Sequence, residues 1–172
     1  MPLYALGEHQ PDIHPDAYIH PDAVVIGRVR VGPESTVWPG AVLRGDYGRI
    51  DIGAQTSIQD GTVIHATETL GTTIGDRCVV GHNAHLEGCV VEDDVLVGSG
   101  SVLLHRVIAR SGCLIAAGAV ATPGTEIPGR ALAVGVPAVV KPDRADPTDF
   151  AGSVQRYIHN GKRYAEQLRR LP

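Results

Sequence analysis

The stretch Ile13-His14-Pro15-Asp16-Ala17-Tyr18-Ile19-His20-Pro21-Asp22-Ala23-Val24-Val25 returns an aliphatic residue at every sixth position, at Ile13, Ile19 and Val25. The beat continues at Val31, Val37 and Leu43, and resumes at Ile52, Ile58 and Ile64. It returns at Ile74, Val80 and Leu86, then at Val91, Val97, Leu103, Ile108, Leu114 and Val120. Four places after most beats stands a small or slim residue, among them Ala17, Ala23, Ser35, Ala41, Thr56, Thr62, Cys78, Ala84 and Ser101. A helix repeats near 3.6 residues and a strand near 2.0, so six belongs to neither alone. A short strand plus a turn, repeated, is the hexapeptide signature of a parallel β-helix. The expected fold is therefore an all-β solenoid. Three steps to a triangular turn give about six turns over residues 13–127.

Composition agrees. Aromatic residues make up only 4% of the chain and there are 21 glycines, which suits a narrow coil whose walls face each other across little space. A formal net charge of −4 offers no basic field for nucleic acid. No apolar run approaches a membrane span. The three cysteines, Cys78, Cys89 and Cys113, form no Cys-x-x-Cys pair, and no secretory signal pattern opens the chain. A reducing, cytoplasmic setting is expected, with the thiols as small core residues.

The beat breaks where three residues are inserted between Leu43 and Ile52 and four between Ile64 and Ile74; the steps Leu86 to Val91 and Leu103 to Ile108 are each one short. Inserted residues bulge outward as loops, which carry function on rigid scaffolds. Residues 1–12 read as a leading strand or arm. The Pro-rich segment 128–147 reads as a strap closing the coil, so that 1–147 forms the solenoid unit. From 148 to 172 the period becomes helical, with Phe150, Val154, Tyr157, Ile158, Gly161, Tyr164, Ala165 and Leu168 on one face and Thr148 or Asp149 as N-cap. Gly161 signals a close packing point or a kink.

The beat also locates side chains. Leu43, Ile64 and Leu86 are one full turn apart, so Arg44, His65 and Glu87, each one place later, form a column with neighbours about 5 Å apart. Asp60 and His82 form a second column, two places after Ile58 and Val80. Exposed columns of this kind are commonly solvated charge ladders worth at most about 1 kcal/mol per pair. His82 lies on another face from His65 and Glu87, and would join them only across a subunit interface. His14, His20 and His105 read as surface or corner residues, since no partner column points at them.

Trp38-Pro39-Gly40-Ala41-Val42-Leu43-Arg44-Gly45-Asp46, Ile58-Gln59-Asp60-Gly61-Thr62-Val63-Ile64-His65-Ala66 and Val80-Gly81-His82-Asn83-Ala84, with the strap Ala133-Val134-Gly135-Val136-Pro137-Ala138, resemble the γ-class carbonic anhydrase-like family. The resemblance implies a left-handed coil, a homotrimer, and a zinc (or iron or cobalt) ion at each subunit interface. It also implies reversible hydration of carbon dioxide to bicarbonate by metal-activated hydroxide. It makes His65 and the neighbouring subunit's counterpart of His82 metal ligands. The third family histidine is replaced here by Glu87, with His85 two places earlier. Three arrangements stay open: Glu87 as the third ligand, His85 in its place, or a metal-free site. Two histidines and a glutamate form an established zinc set. By the same resemblance Arg44 and Asp46 pair at the interface, Gln59 and Asp60 orient the bound water or bicarbonate, and Asn83 supports the ligand. Tyr157 approaches the site, and Glu68 falls near a proton-shuttle position. A hexapeptide acyltransferase and a non-catalytic trimeric scaffold are the competing readings.

Overall fold

The computed structural model of the protein describes residues 3–172. The chain winds into a left-handed parallel β-helix of triangular section, followed by the helix α1 (Thr148–Gln167). Parallel register stacks the inward residues of each face in a column. On the first face Ile19, Val37, Ile58, Val80, Val97, Ile115 and Ala133 lie in line. On the second, Val25, Leu43, Ile64, Leu86, Leu103 and Ala121 follow Leu3, and on the third Ile13, Val31, Ile52, Ile74, Val91, Ala109 and Ile127. There are about seven turns rather than six. The additional turn comes from Leu3–Tyr4, which pairs with Val25–Ile26, and from Leu132–Val134, which extends the first face.

The register corrects the beat in its last third. Ala109, Ile115 and Ala121 are fully buried, while their neighbours Ile108, Leu114 and Val120 point outward. Each step there holds two adjacent apolar residues, and the smaller of the pair at 109 and 121 turns inward. The step from Leu103 is therefore a regular six, to Ala109, and only three irregularities are real. All three fall at one edge, where the second face turns into the third. Val42–Ile52 bends round it as one continuous strand, residues 66–71 form a loop, and Gly88 makes a shortened corner.

Regular corners use two residues, the second in the left-handed region, as at Glu34, Gln55, Arg77, Asn83 and Arg106. A tight turn with positive φ at that place redirects the chain at the end of each two-residue strand. The buried hydroxyls of Ser35, Thr56 and Thr62 bond to the carbonyls of Gly53, Gly75 and Gly81 across neighbouring turns. The slim residue four places after a beat thus lines the corner and satisfies backbone there.

The segment after Val134 reverses, and Val139–Lys141 pairs antiparallel with Leu132–Val134. Helix α1 then returns along the first face, burying Phe150, Val154, Ile158 and Gly161. Val154 and Ile158 pack on Val79 and Leu96, and Tyr157 and Tyr164 meet Trp38 edge to face. A methyl at Gly161 would stand 2.7 Å from Thr36 Cγ2. The glycine is thus a close packing point in an unbroken helix. Ala165 and Leu168 are exposed, and Leu168 lies past the helix end. Neither Thr148 nor Asp149 caps α1. Asp146 does the bonding, its carboxylate accepting from the Thr148 amide at 3.0 Å and hydroxyl at 2.8 Å.

Candidate functional site

The three outer surfaces differ in kind. The first lies under α1. The third carries Asp12, Arg30 and Asp51 toward one end and Glu126 toward the other, with Thr73, Val90 and Ile108 between them, and has ion pairs such as Arg49–Asp51 at 2.7 Å and Arg110–Glu126 at 2.9 Å. The second face bears an outward line of Val24, Val42, Val63, Val102 and Val120, interrupted only by His85. The polar residues singled out by sequence gather on the two edges of this apolar face.

On the edge toward the third face, Arg44 stands opposite His65, and His65 opposite Glu87. The imidazole is held between two carboxylates. Nδ1 lies 2.9 Å from Glu87 Oε1 and Nε2 lies 3.0 Å from Asp46 Oδ1. Asp46 also pairs with Arg44. Burial alone would raise the Asp46 pKa, but bonds from Arg44 and His65 hold the carboxyl below its ordinary value. The Glu87 carboxyl is lowered too, first by its bond to His65, against partial burial, with His85 and His105 adding to the effect. Thr72 locks this edge by donating its hydroxyl to the His65 carbonyl and accepting from the Gly88 amide.

Two further histidines converge on Glu87. His85 Nε2 stands 3.4 Å from Oε2, and His105 Nε2 3.6 Å from Oε1. His105 is a corner residue, as expected, but it does have a partner, which the column reading missed. The signal was present: His105 sits two places after Leu103, and Gly88 two places after Leu86, so the same slot holds a histidine over a glycine on consecutive turns.

On the opposite edge, between the first and second faces, His82 Nδ1 lies 2.9 Å from Asp60 Oδ2, both side chains about half exposed. Its Nε2 has no partner among the described residues. Gln59 is buried beside Tyr157, whose phenol is raised above its ordinary pKa by burial and then by the Asp60 charge. Asn83 occupies the left-handed corner position next to His82 and lays its amide over Gly61. Glu68 is exposed on the loop that follows His65, with no partner among the described residues.

Gln59, Asp60, His82, Asn83 and Tyr157 thus share one edge, while Arg44, Asp46, His65, His85 and Glu87 share the other. Among the described residues no three His, Cys, Asp or Glu side chains converge closely enough to hold a metal ion by themselves. No helix among them is long and apolar enough to cross a membrane.

Known proteins share this architecture. The family model for the bacterial transferase hexapeptide (six repeats) matches residues 11–45 and 71–105. The mitochondrial γ carbonic anhydrase 2 of Arabidopsis thaliana is 41% identical over 137 residues, covering 76% of this chain and 49% of that protein. The carnitine operon protein CaiE of Salmonella agona is 40% identical over 140 residues, covering 81% of this chain and 71% of CaiE. A solved hexapeptide transferase family protein from Anaplasma phagocytophilum superposes with a TM-score of 0.90 at 31% identity, over 95% of this chain and 98% of that one. The chain spans about half the length of the Arabidopsis relatives it matches. It is a hexapeptide-repeat protein. Within that class, it belongs to the γ-carbonic anhydrase-like family.

Proposed function

We propose that the protein is a γ-carbonic anhydrase-like metalloprotein that works as a homotrimer in the cytoplasm and acts on carbon dioxide and bicarbonate. The observation that carries this reading is the placement of two incomplete donor sets on opposite edges of the one uncovered apolar face. In a threefold ring closed through that face, one protomer's edge with His82 and Asp60 meets the next protomer's edge with His65 and Glu87. A cyclic arrangement of this kind uses two different edges at every contact and still closes. The outward valines supply apolar area for the association.

The donor chemistry fits a divalent ion such as zinc, with iron or cobalt as alternatives. Imidazole nitrogen and carboxylate oxygen are its ordinary ligands. His65 and Glu87 from one subunit and His82 from the next would hold it. The Asp60 carboxylate lies beside His82 Nδ1 and leaves Nε2 available, the position of a carboxylate behind a metal-binding histidine. Asp46 braces His65, and Arg44 neutralises Asp46. Bound there, zinc would supply the Lewis acidity that makes water a nucleophile near neutral pH. Glu87 places a negative charge where the family's third histidine is neutral, which weakens that effect. Slow hydration is therefore expected. Gln59 and Tyr157 offer an amide and a phenol to orient substrate at the same edge, while exposed Glu68 is available to carry protons from the loop.

Metal analysis of the gently purified protein, with light scattering for its mass, tests the reading. A trimer carrying about one zinc, iron or cobalt per subunit, with carbon dioxide hydration that chelator abolishes, is the expected result. A monomer, or a trimer that takes up none of the three metals, would overturn it. Thermal protection by acetyl-coenzyme A with no metal bound would instead favour acyl transfer.

A further inference from the structure

We propose that the third face carries a recess that binds a phosphate group through Arg28, Arg30 and Arg49. The recess measures about 320 Å³ and is walled by His9 and Gln10 of the N-terminal arm, with Asp12 as its one carboxylate. Val29, Val31 and Ile50 are buried, so Arg28 and Arg30 on one strand and Arg49 on the next all point outward. Arg28 and Arg49 precede the paired residues Val29 and Ile50. Neighbouring strands stand about 4.8 Å apart and alternate residues about 6.6 Å, so three guanidiniums share one small area. Like charges side by side on a sheet destabilise it. An anion seated between them removes that cost.

The donors are positioned but largely unused. Arg28 Nη2 lies 2.5 Å from His9 Nε2, and Nη1 donates to the Tyr47 carbonyl at 3.4 Å. Arginine only donates, so His9 Nε2 is the acceptor. His9 is itself fixed by backbone bonds exchanged with Leu6, at 2.8 and 3.2 Å, across a tight turn in which Gly7 takes a φ of 58°. Arg49 donates its Nε to Asp51 at 2.8 Å, which leaves its terminal nitrogens without a hydrogen bond among the described residues. Arg30 stands between Asp12 and Asp51 in register, yet its guanidinium bonds to neither. Arg110, by contrast, is engaged by both Glu92 and Glu126.

Geometry selects the ligand. A carboxylate is planar, and one guanidinium fork satisfies it. Three forks converging from two strands match the several oxygens of a tetrahedral phosphate. The size of the recess and a net charge of −4 suit a small phosphorylated molecule or free phosphate rather than a nucleic-acid backbone.

Titration calorimetry at fixed ionic strength tests the site, with inorganic phosphate, glycerol phosphate and succinate added to wild type, Arg28→Gln, Arg30→Gln and the control Arg110→Gln. Wild type should bind phosphate. Arg28→Gln and Arg30→Gln should bind it at least about tenfold more weakly, the loss of a charged hydrogen bond, while unfolding in phosphate-free buffer at the wild-type midpoint. Arg110→Gln should match wild type. Tighter binding of glycerol phosphate than of inorganic phosphate identifies a phosphate ester as the ligand, and equal binding identifies free phosphate. Chelator should leave the titration unchanged, so the outcome is independent of the proposed metal site. No binding by wild type up to about 10 mM phosphate, undiminished binding in Arg28→Gln and Arg30→Gln, or an equal loss in Arg110→Gln would overturn the proposal. So would succinate bound as tightly as phosphate, or binding that chelator abolishes.

Discussion

Replacing Ile115 by alanine should destabilise the protein by about 4 kcal/mol. The side chain is fully enclosed. Losing three carbon atoms removes about 2.5 kcal/mol of transfer free energy, at roughly 0.8 kcal/mol per methylene. Ile115 shares its turn with Ala109 and Ala121, also fully buried, and neither has a side chain long enough to reach into the space. A cavity of about 75 Å³ should therefore persist and add about 1.8 kcal/mol, at about 24 cal/mol per Å³. For a chain of 172 residues, the total corresponds to a fall in Tm of roughly 10 °C. Ile108→Ala is the control, since Ile108 points outward from the third face and its truncation should cost about 1 kcal/mol or less. Guanidinium unfolding followed by circular dichroism, at one fixed protein concentration, measures both. A larger loss for Ile108→Ala than for Ile115→Ala would refute the register of the last turns. A loss below about 1.5 kcal/mol at Ile115 would refute the cavity argument.

Four further outcomes are expected. The double variant Val63→Asp and Val102→Asp places charge on the apolar second face, and should give a folded monomer by light scattering; an intact trimer would put the interface elsewhere. Asp60→Asn removes the carboxylate behind His82 and should weaken zinc binding by about 10–100-fold in chelator competition, with an unchanged affinity refuting its role. The thiols of Cys78, Cys89 and Cys113 are pushed up to about 12 by burial. At mildly alkaline pH none should react with a disulfide reagent until denaturant is added; rapid native labelling would contradict the packing. Glu34 is held below its ordinary pKa by hydrogen bonds from Lys162 on α1 and then Gln55. Its stabilisation is therefore present above a pH of about 4.3 and lost as pH falls through the lower folded value, so wild type and Glu34→Gln should converge in stability in acid.

What the sequence made legible was whatever the period controls. The columns Arg44, His65, Glu87 and Asp60, His82 follow from counting, because a parallel stack keeps equal offsets adjacent. The period failed at Ile108, Leu114 and Val120, where two apolar neighbours compete for one inward position and apolarity alone does not choose. Side-chain reach was also hidden. The family resemblance paired Asp46 with Arg44 but did not show it on His65 Nε2, and counting left His105 alone because its partner lies across a glycine. The first amide of α1 is taken up by Asp146, just ahead of the residues whose pattern marked the helix, while the N-cap position itself is Pro147.

The position of the donor-rich edge has a physical cause. A regular corner of this coil is a tight two-residue turn whose backbone bonds to the turns above and below, which leaves little room for side chains to meet. At the edge between the second and third faces, the bent strand Val42–Ile52, the loop 66–71 and the shortened corner at Gly88 replace that pattern in three successive turns. Asp46, His65 and Glu87 come from those three turns, and His105 from the regular corner above them. Charge argues the same way: Asp46 and Glu87 flank His65 while Arg44 answers only one of them. The carboxylate of Glu87 has three histidine nitrogens within 4.0 Å, which hold it in its charged form. Irregularity in the beat and clustering of donors are thus one feature, because the same insertions and deletion that interrupt the repeat open the space in which the donors converge.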